Sequence, residues 1–141
     1  MKITSNFDND GNYRNKVYYS SNGKIWRIEY YKFDRGNLIE NTYNFEDNKW
    51  IMSFNYSYDD KNNLIKSIYK RSDGGSRVHE IHYDKCNKLF KSHITQYNNN
   101  EIMWILVTNH FYDTNNLLIK EINTNERGKL QYTTSYIYEK H

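Results

Sequence analysis

The sequence predicts an all-β chain: an antiparallel meander of about eleven strands made of hairpin repeats, either an open curved sheet or a barrel-like closure. Three observations predict it. The composition holds 15 Tyr, 6 Phe, 3 Trp and 21 Asn with no Pro. Turn-forming clusters recur at near-even spacing. Between the clusters, side chains alternate in character with a period of two. Aromatic residues suit a pleated, half-buried surface. Asn tolerates positive φ and suits tight turns. A chain without Pro keeps every backbone donor available to a sheet ladder.

The turn clusters fall near residues 8–12, 20–24, 34–37, 46–49, 59–63, 72–76, 84–88, 98–101, 113–117 and 125–129. Their starts are 12 to 15 residues apart, the spacing of successive antiparallel strands. All nine Asp residues lie in these clusters: Asp8, Asp10, Asp34, Asp47, Asp59, Asp60, Asp73, Asp84 and Asp113. Asp in a turn bonds its own local backbone, whereas in a strand it competes with the ladder.

The segments between clusters read as strands. Trp50, Met52, Phe54, Tyr56 and Tyr58 fall on one face, and Ile51, Ser53, Asn55 and Ser57 on the other. Leu130, Tyr132, Thr134, Tyr136 and Tyr138 repeat the pattern. In 102–112, Ile102, Trp104 and Leu106 alternate with Met103, Ile105 and Val107, which predicts a strand covered on both faces. No segment has helical caps and period.

Every second turn carries a related string. It reads Phe7-Asp8-Asn9-Asp10-Gly11-Asn12-Tyr13, then Phe33-Asp34-Arg35-Gly36-Asn37-Leu38 in a form one residue shorter. It returns as Tyr58-Asp59-Asp60-Lys61-Asn62-Asn63-Leu64, Tyr83-Asp84-Lys85-Cys86-Asn87-Lys88-Leu89 and Tyr112-Asp113-Thr114-Asn115-Asn116-Leu117-Leu118. The leading aromatics are 26, 25, 25 and 29 residues apart. Two strands per period make a hairpin repeat, and stacked hairpins bury what one alone cannot. The whole chain, 1–141, reads as a single β-hairpin-repeat domain.

This string resembles the YD repeat of rearrangement-hotspot (RHS) and teneurin-type shells. The pairing of Asn48-Lys49-Trp50 with Tyr58-Asp59 is similar to the looser hairpin repeats of Bacteroidetes surface proteins, where an N-x-W turn alternates with a YD turn. The glycine slot is Asn at Asn62, Asn87 and Asn116, and the period is longer than the family's. The resemblance therefore implies hairpin architecture and a binding or structural scaffold without catalysis, not the enclosure of a toxin.

Charge is mild, with 20 basic and 17 acidic residues and a net +3. That permits weak attraction to anions without demanding nucleic acid or a membrane. One cysteine, Cys86, excludes an intrachain disulfide. The start, Met1-Lys2-Ile3-Thr4-Ser5-Asn6, lacks the apolar stretch of a signal peptide. The expected location is cytoplasmic, or extracellular if an export signal has been removed.

Chemistry-bearing residues are sparse. A hairpin centred on Cys86 would set His79 opposite His93 with His82 near, a pair that could bind a metal or sense pH, yet no third ligand is evident. Cys86 sits at a turn tip, where a base and a shaped pocket are rare. Asp8-Asn9-Asp10-Gly11-Asn12 opens like a calcium loop, but residues 13–19 supply no later acidic ligand. Glu29, Glu40, Glu80 and Glu121, interspersed with Arg27, Lys66 and Lys91, read as a solvated sheet face. There is no phosphate loop, G-x-S-x-G or zinc spacing. The expectation is no catalytic residue, no metal and no cofactor.

The aromatic surplus is the strongest surface signal. Trp26, Tyr30, Trp50, Tyr56 and Trp104 are the expected partner-binding residues, on an aromatic face of the central hairpins. Tyr gives contact area at low entropy cost. The first expected function is a non-catalytic protein-binding module, such as an immunity-type or inhibitor protein. A second is nucleic-acid or anionic-ligand binding by Tyr, Lys and Arg. A third is a structural fragment of a YD-repeat surface protein. The expected partner is another protein, with a homodimer through open sheet edges also possible.

Overall fold

The computed structural model describes residues 2–45 and 49–138. Its eleven strands are β1 (Lys2–Phe7), β2 (Tyr13–Tyr19), β3 (Ile25–Asp34), β4 (Asn37–Phe45), β5 (Trp50–Tyr58), β6 (Leu64–Arg71), β7 (Gly75–Tyr83), β8 (Leu89–Asn98), β9 (Glu101–Tyr112), β10 (Leu118–Thr124) and β11 (Leu130–Ser135). They form one antiparallel meander in sequence order, and the described residues contain no helix. The order is linear, with β1 and β11 as its end strands rather than a closing pair. The chain divides into two compact units, Met1–Ser76 and Arg77–His141.

The turns explain the meander. At Asp8, Asp59, Asp84, Asp113 and Asn125 one device recurs. The N–H of the first residue donates to the carbonyl four residues on, and the N–H of the fourth donates back to the first carbonyl. The first side chain's Oδ1 also accepts from the N–H groups two and four residues ahead, as at Asp59 from Lys61 and Asn63. The fourth residue must take positive φ, which only Gly or Asn adopts cheaply. It is Gly11 at +81°, Asn62 at +65°, Asn87 at +66°, Asn116 at +68° and Gly128 at +73°. This is the three-residue hairpin loop whose last residue is left-handed. Two turns are tighter: Arg35-Gly36 and Asn99-Asn100 both have positive φ at each central residue, between the pairs Asp34–Asn37 and Asn98–Glu101. Asp34 thus ends β3. Asp47, and Asn48 of the N-x-W string, lie outside the described residues.

A second device was invisible in the sequence. In at least seven hairpins the return strand carries one extra residue just after the turn: Arg14, Trp26, Ile39, Ile65, Met103, Ile119 and Gln131. Such bulges strengthen twist and re-aim side chains.

A tyrosine ladder fastens one repeat to the next. The hydroxyls of Tyr58, Tyr112 and Tyr138 donate to the main-chain carbonyls of Leu38, Leu89 and Leu118, at 2.9, 2.8 and 2.8 Å. Each acceptor is the first leucine of the return strand of an earlier YD-type hairpin. Tyr138 thereby occupies the leading-aromatic position of the repeat.

No hydrophobic residue is fully buried among the described residues, while Glu29, Asn41, Ser92, Thr95 and Asn123 are buried. This corrects two expectations. β9 is not covered on both faces: Ile102, Met103 and Trp104 are 55, 59 and 44 % exposed, because a single sheet supplies no second layer there. Glu29 is not on a solvated face: it is 5 % exposed beneath its aromatic neighbours.

Candidate interaction site

Register defines the faces of the first unit. Arg27 pairs with Phe45, Glu29 with Tyr43 and Tyr31 with Asn41. Phe45 pairs with Trp50, Tyr43 with Met52 and Asn41 with Phe54. Met52 pairs with Arg71, Phe54 with Tyr69 and Tyr56 with Ser67. Directly opposed residues share a face, so these side chains form one aromatic face across β3 to β6. Trp26, as the extra residue of its bulge, joins them: its ring lies 6.0 Å from Tyr18 and 6.1 Å from Phe45.

At the end of the unit opposite the YD turns, Trp26, Phe45, Lys49, Trp50 and Met52 line an open groove of about 680 Å³. Two arginines lie against its lining rings. The Arg27 guanidinium lies 4.1 Å from the Tyr18 ring centre, 4.8 Å from Trp26 and 5.9 Å from both Tyr43 and Phe45. It pairs with Glu29 at 2.9 Å. Arg71 lies 5.7 Å from the Trp50 ring and bonds Asp73 through two nitrogens. Cation–π contact and charge pairing together restrict the orientation of the rings.

Glu29 is the polar centre behind the groove. It accepts from Tyr18 Oη at 3.0 Å and from the Tyr31 hydroxyl, besides its Arg27 pair. A carboxylate this buried persists only with such partners. Burial, then the Glu29 bond and charge, push the Tyr31 hydroxyl's pKa well above its ordinary value. Tyr31 is therefore held as a donor to Glu29.

The expected site residues are distributed as follows. Trp26, Trp50 and Tyr56 share the aromatic face. Trp26 and Trp50 meet at the groove, while Tyr56 lies further along β5, its hydroxyl 3.5 Å from Asn41 Oδ1. Tyr30, 44 % exposed, projects from the opposite face, since β3 alternates between Glu29 and Tyr31. Trp104 belongs to the second unit, where Arg77 lies 5.7 Å from its ring and donates to Gln96 at 3.0 Å. Each of the three tryptophans thus has an arginine against it. Sequence reading missed Arg27, Glu29 and Arg71 as parts of the site. The signal available was the spacing Arg27-x-Glu29-x-Tyr31, which puts three complementary groups on one strand face.

The histidines do not form the expected pair. His93 Nδ1 meets Glu80 at 3.7 Å, not His79. Adjacent strand residues point to opposite faces, so the contact of Glu80 with His93 puts His79 on the other face. Among the described residues no three His, Cys, Asp or Glu side chains gather as a metal site. His110 instead pairs with Glu121 at 2.9 Å, and Tyr136 donates to the same carboxylate at 2.8 Å. Cys86 is exposed at its turn. No described helix is long and apolar enough to cross a membrane.

Compared with known proteins, the chain matches no family model, and no curated protein is significantly similar to it.

Proposed function

We propose that this chain is a non-catalytic protein-binding module, of an inhibitor or immunity type, that docks the aromatic face of its first unit onto a partner. The observation that carries the reading is the groove between Trp26 and Trp50, whose rings are braced by Arg27 and Arg71. Trp, Tyr, Met and Arg are the residues enriched in interface cores, and Trp, Tyr and Arg dominate binding hot spots. Rings already held in place lose little further freedom on binding, which favours affinity.

A second reading, stacking of single-stranded nucleic acid, draws on the presence of Lys49 and Arg71 beside Trp50. Capture of partners from the source cell's lysate, with and without nuclease and read by mass spectrometry, separates the two. A stoichiometric protein retained after nuclease supports the module. Recovery that vanishes with nuclease, and an affinity that falls steeply with salt, would replace it with the second reading.

A further inference from the structure

We infer that a second copy of this chain covers the aromatic face when the partner is absent, giving a face-to-face homodimer that partner binding must open. The inference rests on the reading of that face as a protein-docking surface. Two observations point to a copy of the chain.

The first is area. Trp50 is 48 % exposed, and Tyr18, Trp26, Tyr31, Phe33, Tyr43, Phe45, Phe54, Tyr56, Tyr58 and Tyr69 are all part-exposed. A large aromatic side chain can bury 150–250 Å², so these rings leave on the order of 600 Å² of aromatic surface to cover. That approaches the roughly 800 Å² per partner of a stable interface. Domains ordinarily close such a face with a second layer, and no hydrophobic residue of the described chain is buried by one.

The second is charge. The arginines of the face are each paired, Arg27 with Glu29 and Arg71 with Asp73. Lys16 lies 3.8 Å from the Tyr13 ring centre. A strongly acidic or basic partner would need a patch of one uncompensated sign. A patch whose arginines are paired can meet its own copy about a two-fold axis when Lys49, which also lines the groove, is set off that axis. In that arrangement the exposed Trp50 of each copy seats in the other's groove, against Trp26, Phe45 and Met52.

Sedimentation equilibrium of the purified full chain at about 1 and 100 µM brackets a micromolar Kd and tests this. Wild type is expected to reach 34.4 kDa, twice 17.2 kDa, at the higher concentration. Trp50→Lys is expected to stay near 17.2 kDa throughout, a weakening of self-association of about a hundredfold or more, and Tyr30→Lys, on the opposite face, to dimerise like wild type. Trp50→Ala serves if the lysine variant loses the far-ultraviolet β signal. A wild type that stays monomeric at the higher concentration overturns the inference, as does a Trp50 variant that still dimerises or a Tyr30→Lys that does not. A monomeric wild type that still captures a protein partner through Trp50 sinks the homodimer and leaves the docking face standing. A Trp50-dependent dimer that captures nothing supports the homodimer while removing the docking reading.

Discussion

The Tyr58 hydroxyl donates to the Leu38 carbonyl at 2.9 Å, tying the tyrosine of one YD turn to the first leucine of the return strand of the hairpin before it. The same bond recurs from Tyr112 to Leu89 and from Tyr138 to Leu118. With no hydrophobic residue buried among the described residues, the sheet depends on such cross-hairpin links more than a layered domain does.

Tyr58→Phe keeps the ring and removes only the hydroxyl. It is expected to cost about 1 kcal/mol, the net worth of one hydrogen bond. Equilibrium urea denaturation checks this. An unchanged midpoint would make the ladder incidental.

The left-handed positions are a separate test. Asn62, at φ +65°, is expected to accept Gly with a change within about 0.5 kcal/mol. Asn62→Val places a β-branched side chain in a conformation that costs roughly 1–2 kcal/mol, and should destabilise by that amount in the same assay.

Glu29 holds Arg27, Tyr18 and Tyr31 together. Removing one partner of a buried charge pair strands the other, so Glu29→Ala is expected to cost about 3–5 kcal/mol. Arg27 then loses its anchor, and the fluorescence of Trp26 should shift to longer wavelength as the groove loosens. A stable variant with an unshifted spectrum would show that the groove forms without the network.

Stability should fall on mild acidification. Burial, with the Arg77 charge beside it, holds the His79 imidazole below its ordinary pKa. The unfolded chain then binds more protons than the folded one below about pH 6.5, and stability is lost as the pH drops through that value. Denaturation midpoints at pH 7.5, 6 and 5 should decline in wild type and decline less in His79→Gln. Parallel profiles would remove His79 from the account.

The architecture was legible because local chemistry dictates it. Asp at the first turn position, and Gly or Asn at the fourth, mark each loop in plain sequence, and the alternation along Trp50–Tyr58 names its face. The site was only half legible. Strand alternation alone would have separated Tyr30 from Trp50 once the pairing was known, but register depends on bulges at positions such as Trp26 and Ile65, which carry no sequence mark. His93 was set opposite His79 by an assumed symmetric register, whereas it meets Glu80. Glu29 read as a surface acid because its burial comes from Arg27, Tyr18 and Tyr31, of which Tyr18 lies on the neighbouring strand and was identified only by the pairing.

The most direct test of the central claim compares capture by three baits: wild type, Trp50→Lys and Tyr30→Lys, each verified as folded. The account predicts one nuclease-resistant protein partner held by wild type and Tyr30→Lys and lost from Trp50→Lys. Equal capture by all three, or loss only with Tyr30→Lys, would contradict it and move recognition off the aromatic face.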